Sequence, residues 1–255
     1  MTIIGPPTWV DLACSDVAAE SAFYAGLLGW EYREAHPGAG GWVQADVDGK
    51  AAAGLAPRYP GTEASFWTIF FTTDDVASAV TRATQLGATT LAPPMRVDIG
   101  GEHKCTIAVL ADPSGAAFGL TEPGTHTGFE VHSGQGSAAW FELMTRELPA
   151  ALDFYTALLR AEARDAPDVP MPYTLLSVDG QDFGGAMAMP PMVPPEVPPN
   201  WSVYFAVDDA EAATAYALEA GANVLMGPEK MSAGTIASLM DPDGANVNII
   251  QLPQE

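Results

Sequence analysis

Two stretches in the first half of the chain have apolar residues at the spacing of one helix face. The first covers residues 18–28, with Asp16 before it and Gly29 after it. Asp is a favoured helix N-cap and Gly a common residue just past a helix end. The acidic pair Asp74-Asp75 opens the second stretch, which runs to Leu86. The pattern therefore predicts two helices in this half.

Short apolar runs separated by Gly-rich and Pro-rich breaks predict strands around both helices. They cover residues 9–14, 30–33, 41–47 and 51–56 around the first helix, and 66–72, 95–98, 106–110 and 116–121 around the second. Each helix and its strands thus form one βαβββ motif.

The second half of the chain repeats the first. Residues 21–28 (SAFYAGLL) resemble residues 152–159 (LDFYTALL). Four more blocks recur in the same order: residues 9–12 with 140–143, 70–75 with 204–209, 87–88 with 221–222, and 112–115 with 241–244. Such order indicates duplication. We expect two domains, 1–123 and 138–255, joined by a linker at 124–137, and four βαβββ motifs in all.

Residues 187–199 hold six prolines and three methionines. Proline prevents regular structure and stiffens the chain, whereas methionine adapts to irregular apolar surfaces. Two interpretations follow. The segment is either a flap over a ligand cavity or a rigid linker between the two motifs of the second half.

The net charge of the chain limits the kinds of molecule that it is expected to bind. The 255 residues include 32 acidic and 10 basic ones, a net charge of -22. This disfavours nucleic acid and anionic membranes and favours a small neutral or cationic molecule. We find no apolar run of membrane-spanning length and no signal peptide, and Cys14 and Cys105 suit a reducing compartment. We therefore expect a cytoplasmic protein that is a monomer or a homodimer.

These motifs together resemble the vicinal oxygen chelate superfamily, which includes glyoxalase I, bleomycin-resistance and fosfomycin-resistance proteins and extradiol dioxygenases. The resemblance rests on the Phe-Tyr-x-x-Leu-Leu helices, the Asp-Asp helix openings and the Asp-Pro-x-Gly turns, and it covers nearly the whole chain. More narrowly, the chain looks like two-domain glyoxalase-like proteins of actinobacteria. The resemblance implies an α+β fold made by tandem duplication. Each domain would be a curved, half-open mixed β-barrel flanked by helices.

Metal-dependent members of that superfamily place metal ligands on three strands. The positions that the resemblance assigns are Trp9, Thr68 and Gly119 in the first half and Trp140, Ser202 and Asn248 in the second. None is His, Asp or Glu, and indole and glycine offer no side-chain ligand. We therefore expect no metal and no other cofactor, although a divalent metal held by other residues stays open.

Residues two apart on a strand share one face. On that basis the first cavity would hold Trp9, Asp11, Thr68 and Phe70, with Ala117 and Gly119. The second would hold Trp140, Glu142, Ser202, Tyr204, Asn246 and Asn248. The carboxyl groups of Asp11 and Glu142 have three open roles: structural, ligand-binding or catalytic.

A metal set of Glu102, His103 and Cys105, or a Cys–His nucleophile pair, is a weaker alternative because neighbouring strand residues face opposite ways. The other histidines, His36, His126 and His132, read as surface residues.

Three functions follow. The first is a metal-free protein that binds a metabolite or antibiotic. The second is an enzyme of the superfamily, a lyase, isomerase or cyclase in secondary metabolism, with Glu142 or Asp11 as acid or base. The third is an interaction protein that uses the fold only as a surface.

Overall fold

The computed structural model describes residues 2–33, 36–59, 61–167, 169 and 171–253, and its first helix has the predicted caps. Helix α1 spans Val17–Leu28. The Asp16 carboxylate accepts hydrogen bonds from the backbone N–H groups of Ala18 (3.0 Å) and Ala19 (3.1 Å). Gly29 follows with φ of 74°, the left-handed conformation that ends a helix.

Helix α2 spans Val76–Gln85, one residue shorter than predicted. Its N-cap is Asp75, whose carboxylate accepts from the backbone N–H of Ser78 at 2.9 Å. Leu86 caps the other end with non-helical angles, and its N–H still bonds to the last turn. The prediction of this helix is therefore confirmed apart from the final residue.

The remaining elements follow the predicted motif order. In the first half the strands are β1 (Ile4–Cys14), β2 (Glu31–Tyr32), β3 (Val43–Val47), β4 (Lys50–Pro57), β5 (Phe66–Thr73), β6 (Thr89–Ile99), β7 (Glu102–Ala111) and β8 (Ala117–Pro123). In the second half the elements are β9 (Ala138–Thr145), α3 (Leu148–Leu159), β10 (Glu162–Asp165), β11 (Thr174–Val178), β12 (Gln181–Ala188), β13 (Asn200–Ala206), α4 (Ala210–Glu219), β14 (Asn223–Met231), β15 (Gly234–Met240) and β16 (Asn246–Gln251).

Both halves build an eight-stranded sheet with the same strand order. That order is β2-β3-β4-β1-β5-β8-β7-β6 in the first sheet and β10-β11-β12-β9-β13-β16-β15-β14 in the second. The β1–β4 and β5–β8 pairs are parallel, whereas β3–β4, β6–β7 and β7–β8 are antiparallel. Neither order closes on itself. The α+β fold and the tandem duplication are therefore confirmed.

Strand β1 is longer than predicted, because it begins at Ile4 and includes the pair Pro6-Pro7. Proline fits extended backbone but has no N–H to donate. The ladder with β4 runs from Asp11 to Cys14, beyond both prolines, so they remove no hydrogen bond from it.

The two compact units of the structure do not coincide with the two sequence repeats. The first unit consists of residues 1–8, 69–127 and 141–201, and the second of residues 9–68, 128–140 and 202–255. Each unit therefore combines segments of both halves. The domain limits read from the sequence remain a prediction, and their outer ends, Met1 and Glu255, lie outside the described residues.

Aromatic side chains fill the core of each unit in matching ways. In the first unit, Tyr155 packs edge-on against Phe118 and Trp201, and its hydroxyl accepts from Trp201 Nε1 at 2.7 Å. In the second unit, the Tyr24 hydroxyl accepts from Trp67 Nε1 at 3.1 Å. It also donates to Asp241 Oδ2 at 2.8 Å. The repeated Phe-Tyr helix motif thus supplies each core with one buried phenol.

The segment 187–199 is tied down in the first unit. The Arg146 guanidinium donates to the carbonyl oxygens of Pro194 (2.8 Å) and Val197 (2.7 Å). Two successive turns add hydrogen bonds from Val193 to Pro190 and from Val197 to Pro194. These contacts favour the rigid linker over the flap.

Candidate ligand-binding site

Strands β13, β15 and β16 carry polar residues on one face and core residues on the other. Tyr204 is paired with Asn248 in the parallel β13–β16 ladder, and Ser238 with Asn248 in the antiparallel β15–β16 ladder. We call the set Ser202, Tyr204, Ser238, Asn246 and Asn248 the asparagine face. The opposite face holds residues with no exposed surface: Val203, Phe205, Ala237, Leu239, Val247 and Ile249.

One acceptor on the asparagine face is left without a partner. The Asn246 amide donates from Nδ2 to Ser238 Oγ (3.2 Å) and to the Leu239 carbonyl (3.4 Å). Its Oδ1 is buried and makes no hydrogen bond. A buried unsatisfied acceptor costs about 1–3 kcal/mol, so a ligand that donates to it would recover stability.

An apolar cluster borders this face. Tyr204, Ile236 and Ile250 are buried together, and Ala139 and Trp140 pack against them. The second unit thus brings together Trp140, Ser202, Tyr204, Asn246 and Asn248, which are five of the six residues predicted for the second cavity. The sixth, Glu142, belongs to the first unit.

The matching position in the first half has no such polar face. Phe70 is paired with Gly119 in the β5–β8 ladder, and its ring lies where a Cβ of Gly119 would be. Phe70 is 1% exposed. Its ring therefore occupies the space that a polar side chain from β8 would need. Trp9, Asp11 and Thr68 belong to the second unit, whereas Phe70 belongs to the first.

Asp11 is held by two tryptophans. Its Oδ1 accepts from Trp9 Nε1 at 2.9 Å and from Trp42 Nε1 at 3.1 Å. Burial raises the pKa of Asp11, and the indole hydrogen bonds only partly oppose this rise. Both of these hydrogen bonds end on the same carboxylate oxygen, Oδ1.

A glycine makes room for that arrangement. Gly54 is paired with Asp11 across β1 and β4, and a Cβ there would overlap the Asp11 carboxylate and the Trp42 indole. In the first unit, Glu142 is paired with Gly185 in the same way, and the Tyr173 ring covers that glycine. Sequence reasoning missed Trp42, Tyr173 and the glycines, although they recur at the offset that relates Asp11 to Glu142.

The residues at the expected metal positions do not fit a metal. Trp9 uses its indole N–H on Asp11, and Gly119 lies under the Phe70 ring. Ser202 and Asn248 offer neutral oxygens, which make a weak ligand set. In the described part of the chain, no group of three or more His, Cys, Asp or Glu residues is placed to hold a metal ion.

The Glu102, His103 and Cys105 set is not brought together for metal binding. Glu102 pairs with Lys104 at 2.7 Å, which lowers the pKa of this carboxyl. His103 Nε2 lies 3.2 Å from Thr106 Oγ1, and Cys105 is buried. The three side chains therefore have separate surroundings.

The second unit also contains a buried acidic cluster that sequence reasoning missed. Glu20 of α1 is 3% exposed and lies close to the carboxyl groups of Asp241 and Asp243. Burial and the charges of Asp241 and Asp243 raise the pKa of Glu20 to about 8. The sequence gives no signal for it, because Glu20 and its partners lie in opposite halves of the chain.

The surroundings of Asp243 change its pKa in the opposite direction. Burial raises its pKa, but hydrogen bonds from Ser15 and Ser65 and the Arg58 guanidinium outweigh this and lower the pKa to about 2. Arg58 donates to Asp243 Oδ1 at 2.8 Å. Asp243 is therefore the ionised member of the cluster.

Comparisons with known proteins agree with this fold. Residues 8–121 match the family described as Glyoxalase-like domain, and residues 137–249 match the Glyoxalase/Bleomycin resistance protein/Dioxygenase superfamily. The chain therefore belongs to the glyoxalase/bleomycin resistance/dioxygenase superfamily, and it carries two such domains in tandem.

Two relatives match over almost their whole length. The anthracycline biosynthesis protein DnrV of Streptomyces peucetius is 35% identical, and the match covers 97% of this chain and 94% of DnrV. CFP32 of Mycobacterium tuberculosis, described provisionally as a glyoxylase, is 36% identical, with 98% and 97% of the two chains covered.

Solved structures share the fold at low identity. The Mn(II)-bound glyoxalase from Novosphingobium aromaticivorans has a TM-score of 0.66 at 15% identity, with 98% of this chain and 83% of that chain covered. An extradiol ring-cleaving dioxygenase from B. fuscum has a TM-score of 0.65 at 16% identity, with 99% and 73% covered. These two structures show the shared fold, and the two family models confirm the family resemblance read from the sequence.

The described helices contain none that is long and apolar enough to cross a membrane.

Proposed function

We propose that this protein binds a small neutral or cationic organic molecule on the asparagine face of its second half, without a metal at the usual positions. The observation that carries the proposal is the buried Asn246 Oδ1 without a hydrogen-bond partner. An apolar wall with a few polar groups is the usual composition of a small-molecule site. Trp140 and Tyr204 supply that wall here.

The same residues favour a flat aromatic ligand with O–H or N–H donors. Trp140 and Tyr204 offer ring surfaces, and Asn246 offers the acceptor. The name of DnrV assigns it to anthracycline biosynthesis, and DauV of Streptomyces sp. (33% identical) has the same description. These names support a polycyclic aromatic metabolite or antibiotic as the ligand of this chain.

Tryptophan fluorescence with a neutral anthracycline aglycone as the probe tests the proposal. We expect saturable quenching with the unaltered protein. Asn246→Ala should weaken binding by roughly tenfold, because one buried hydrogen bond to the ligand is lost. Asn223→Ala on the exposed edge strand β14 is the matched control and should bind normally.

Equal affinity of Asn246→Ala and Asn223→Ala would contradict the proposal. A thermal melt of each variant shows whether the fold is intact, since Asn246 also bonds within the protein.

A second candidate function is an enzyme, a lyase, isomerase or cyclase of secondary metabolism that uses Asp11 or Glu142 as acid or base. The observation in its favour is the surroundings of Asp11. Burial raises the pKa of Asp11, which is the direction that favours a carboxyl group as a general acid or base. Glu142 is 9% exposed and occupies the same strand position in the second half.

Asp11→Asn separates this candidate from simple binding. The variant keeps an oxygen for the two indole hydrogen bonds but cannot transfer a proton at neutral pH. If Asp11 is the base, turnover of the substrate falls by at least about 100-fold while ligand binding persists. Turnover that Asp11→Asn and Glu142→Gln both leave unchanged would refute the enzyme candidate.

We further propose that the protein is cytoplasmic and is a monomer or a homodimer. Cys14 and Cys105 are both buried and form no disulfide, which supports a cytoplasmic protein. Size-exclusion chromatography with light scattering decides between the monomer and the homodimer.

A further inference from the structure

A pocket of about 280 Å³ lies at the surface beside helix α2 in the first unit, and we call it the α2 pocket. The described residues that line it are Thr2, Ser78, Thr81, Arg82 and Gln85. All five side chains are polar, and four of them share one face of α2. The volume is just below the range of about 300–1,000 Å³ that small-molecule pockets usually have, so the pocket has room for a small polar ligand.

Hydrogen bonds hold the segment that carries Thr2 against the start of α2. The Ile3 backbone N–H donates to Asp74 Oδ1 at 3.0 Å, and the Thr73 hydroxyl donates to the Ile3 carbonyl at 2.9 Å. Asp74 comes two residues before the helix. The two sides of the α2 pocket are therefore tied together.

The Arg82 guanidinium is anchored beside the α2 pocket. Its Nη2 donates to the carbonyl oxygen of Ala157, in the last turn of α3, at 2.7 Å. Five other basic residues pair with an acidic side chain, whereas Arg82 forms no ion pair with any described residue. A guanidinium has five N–H donors, so most of those of Arg82 stay available to a carboxylate, which it can bind through two hydrogen bonds.

The hydroxyl groups of Ser78 and Thr81 offer acceptors. The Ser78 hydroxyl donates to Asp75 Oδ2 at 2.6 Å, and the Thr81 hydroxyl donates to the Ala77 carbonyl at 3.0 Å. These bonds use the single proton of each hydroxyl, so the oxygen lone pairs remain for a ligand. Donation to a carboxylate also makes the Ser78 oxygen a stronger acceptor. This part of the pocket therefore suits a ligand donor, and a cationic donor best.

The α2 pocket thus has opposite polarity at two places. Ser78 and Arg82 are four residues apart, which is a rise of about 6 Å along the helix. Hydrogen bonds from Ser78 lower the pKa of Asp75, so a negative charge stands behind the Ser78 hydroxyl. The net charge of -22 opposes the approach of a simple anion, whereas a molecule with one charge of each sign has no net charge to be repelled.

We propose that the α2 pocket binds a small zwitterion, an amino acid whose ammonium and carboxylate groups are about one helical turn apart. The carboxylate accepts from Arg82 and Gln85, and the ammonium donates to Ser78 and Thr81. The described lining of the α2 pocket includes no residue of the asparagine face, which lies in the second unit. The proposal therefore goes beyond the ligand proposed above and is tested independently of it.

Titration of the isotope-labelled protein with 4-aminobutyrate, followed by NMR at the backbone amides of α2, tests the proposal. We expect saturable shifts at Ser78, Thr81 and Arg82, with a dissociation constant in the millimolar range, because the pocket is open to water. Butyrate and butylamine each lack one of the two charged groups. Both should bind at least about tenfold more weakly than 4-aminobutyrate.

Two variants with matched controls locate the site. Arg82→Gln should weaken 4-aminobutyrate binding by at least about tenfold, and Arg96→Gln, the same charge change on an exposed strand residue, should not. Thr81→Ala should weaken it by about threefold or more. Thr84→Ala should not, because Thr84 is also exposed on α2 and bonds to the carbonyl four residues earlier, yet is not among the residues that line the pocket.

Several results would overturn the proposal. These are butyrate or butylamine binding as tightly as 4-aminobutyrate, no saturable shift up to about 50 mM, and equal affinity of Thr81→Ala and Thr84→Ala. A loss in Arg96→Gln as large as in Arg82→Gln would do the same. Since Arg82 also bonds to α3, the amide spectrum of Arg82→Gln is compared with that of the unaltered protein. Where that spectrum differs beyond α2, the Thr81→Ala and Thr84→Ala pair decides.

Discussion

Single carboxyl groups in this protein differ in ionisation because their surroundings differ. Asp16 and Asp75 are exposed helix caps, and their roles follow from the residues next to them. Glu20 lies on helix α1, where an acidic residue would ordinarily be exposed, yet it is buried beside Asp241. The sequence predicts the caps because they are local, whereas the burial of Glu20 depends on a turn in the other half.

Glu20 should make the protein less stable as the pH rises. Its pKa is raised from 4.5 to about 8, so the folded state holds a proton that the unfolded state releases. The stabilising effect is complete below pH 4.5 and is lost as the pH passes 8. We expect Glu20→Gln to be more stable than the unaltered protein at pH 8.5, by about 1–3 kcal/mol, in urea denaturation.

The control is Glu31→Gln on the short edge strand β2, which should follow the pH dependence of the unaltered protein. A Glu20→Gln profile with the same slope between pH 5 and 8 would show that Glu20 titrates normally. At the acid end Asp243 acts in the other direction. Because its pKa is lowered to about 2, its contribution is present above pH 3.8 and is lost as the pH falls toward 2.

At the scale of elements, the patterns that repeat at short range were the most informative. Period-two alternation predicts that Asn246 and Asn248 share one face, and the β15–β16 ladder pairs them with Met240 and Ser238, which are also two residues apart. The start of β1 was not predicted, because Pro6-Pro7 is typical of a break in a strand, although proline also fits extended backbone. The aromatic neighbour of Asp11 was missed for a similar reason, since Trp42 precedes β3 and reaches Asp11 only through the sheet.

The segment 187–199 gives a prediction at this scale. Arg146→Ala removes the donors to the Pro194 and Val197 carbonyls. We expect a loss of about 1–2 kcal/mol in local stability, because two charge-assisted hydrogen bonds disappear. Hydrogen exchange at the Val193 and Val197 amides should speed up by roughly tenfold.

Arg96→Ala serves as the comparison, since Arg96 forms an exposed ion pair with Asp98. Exchange rates in the segment that are the same in both variants would mean that the prolines alone keep it rigid.

At the scale of the whole molecule, the sequence predicts two copies but not how they are combined. Residue blocks that recur in order show that the halves are alike. They carry no information on which segments pack together. Each compact unit takes its segments from both halves. Tyr24 of the first half bonds to Asp241 of the second. Tyr155, which packs against Trp201 within the second half, also packs against Phe118 of the first.

A split chain tests this organisation. We expect residues 1–127 and 128–255, expressed separately, to lack cooperative thermal unfolding, because neither contains a whole compact unit. Mixing the two should restore the near-ultraviolet circular dichroism of the buried tryptophans. The control is the full chain nicked in the linker after folding, which should retain its spectrum. Cooperative melting of residues 1–127 alone would contradict the prediction.

The hydrogen bond from Tyr24 to Asp241 has a consequence for inheritance. After a gene duplicates, its copies usually drift apart, and either one can be lost or exchanged. Here a substitution in one copy changes the surroundings of a residue that the other copy encodes. Substitutions on either side of the linker must therefore be compensated across it. A chimera that joins one copy of this chain to the opposite copy of a relative should fold only when such pairs are transferred together.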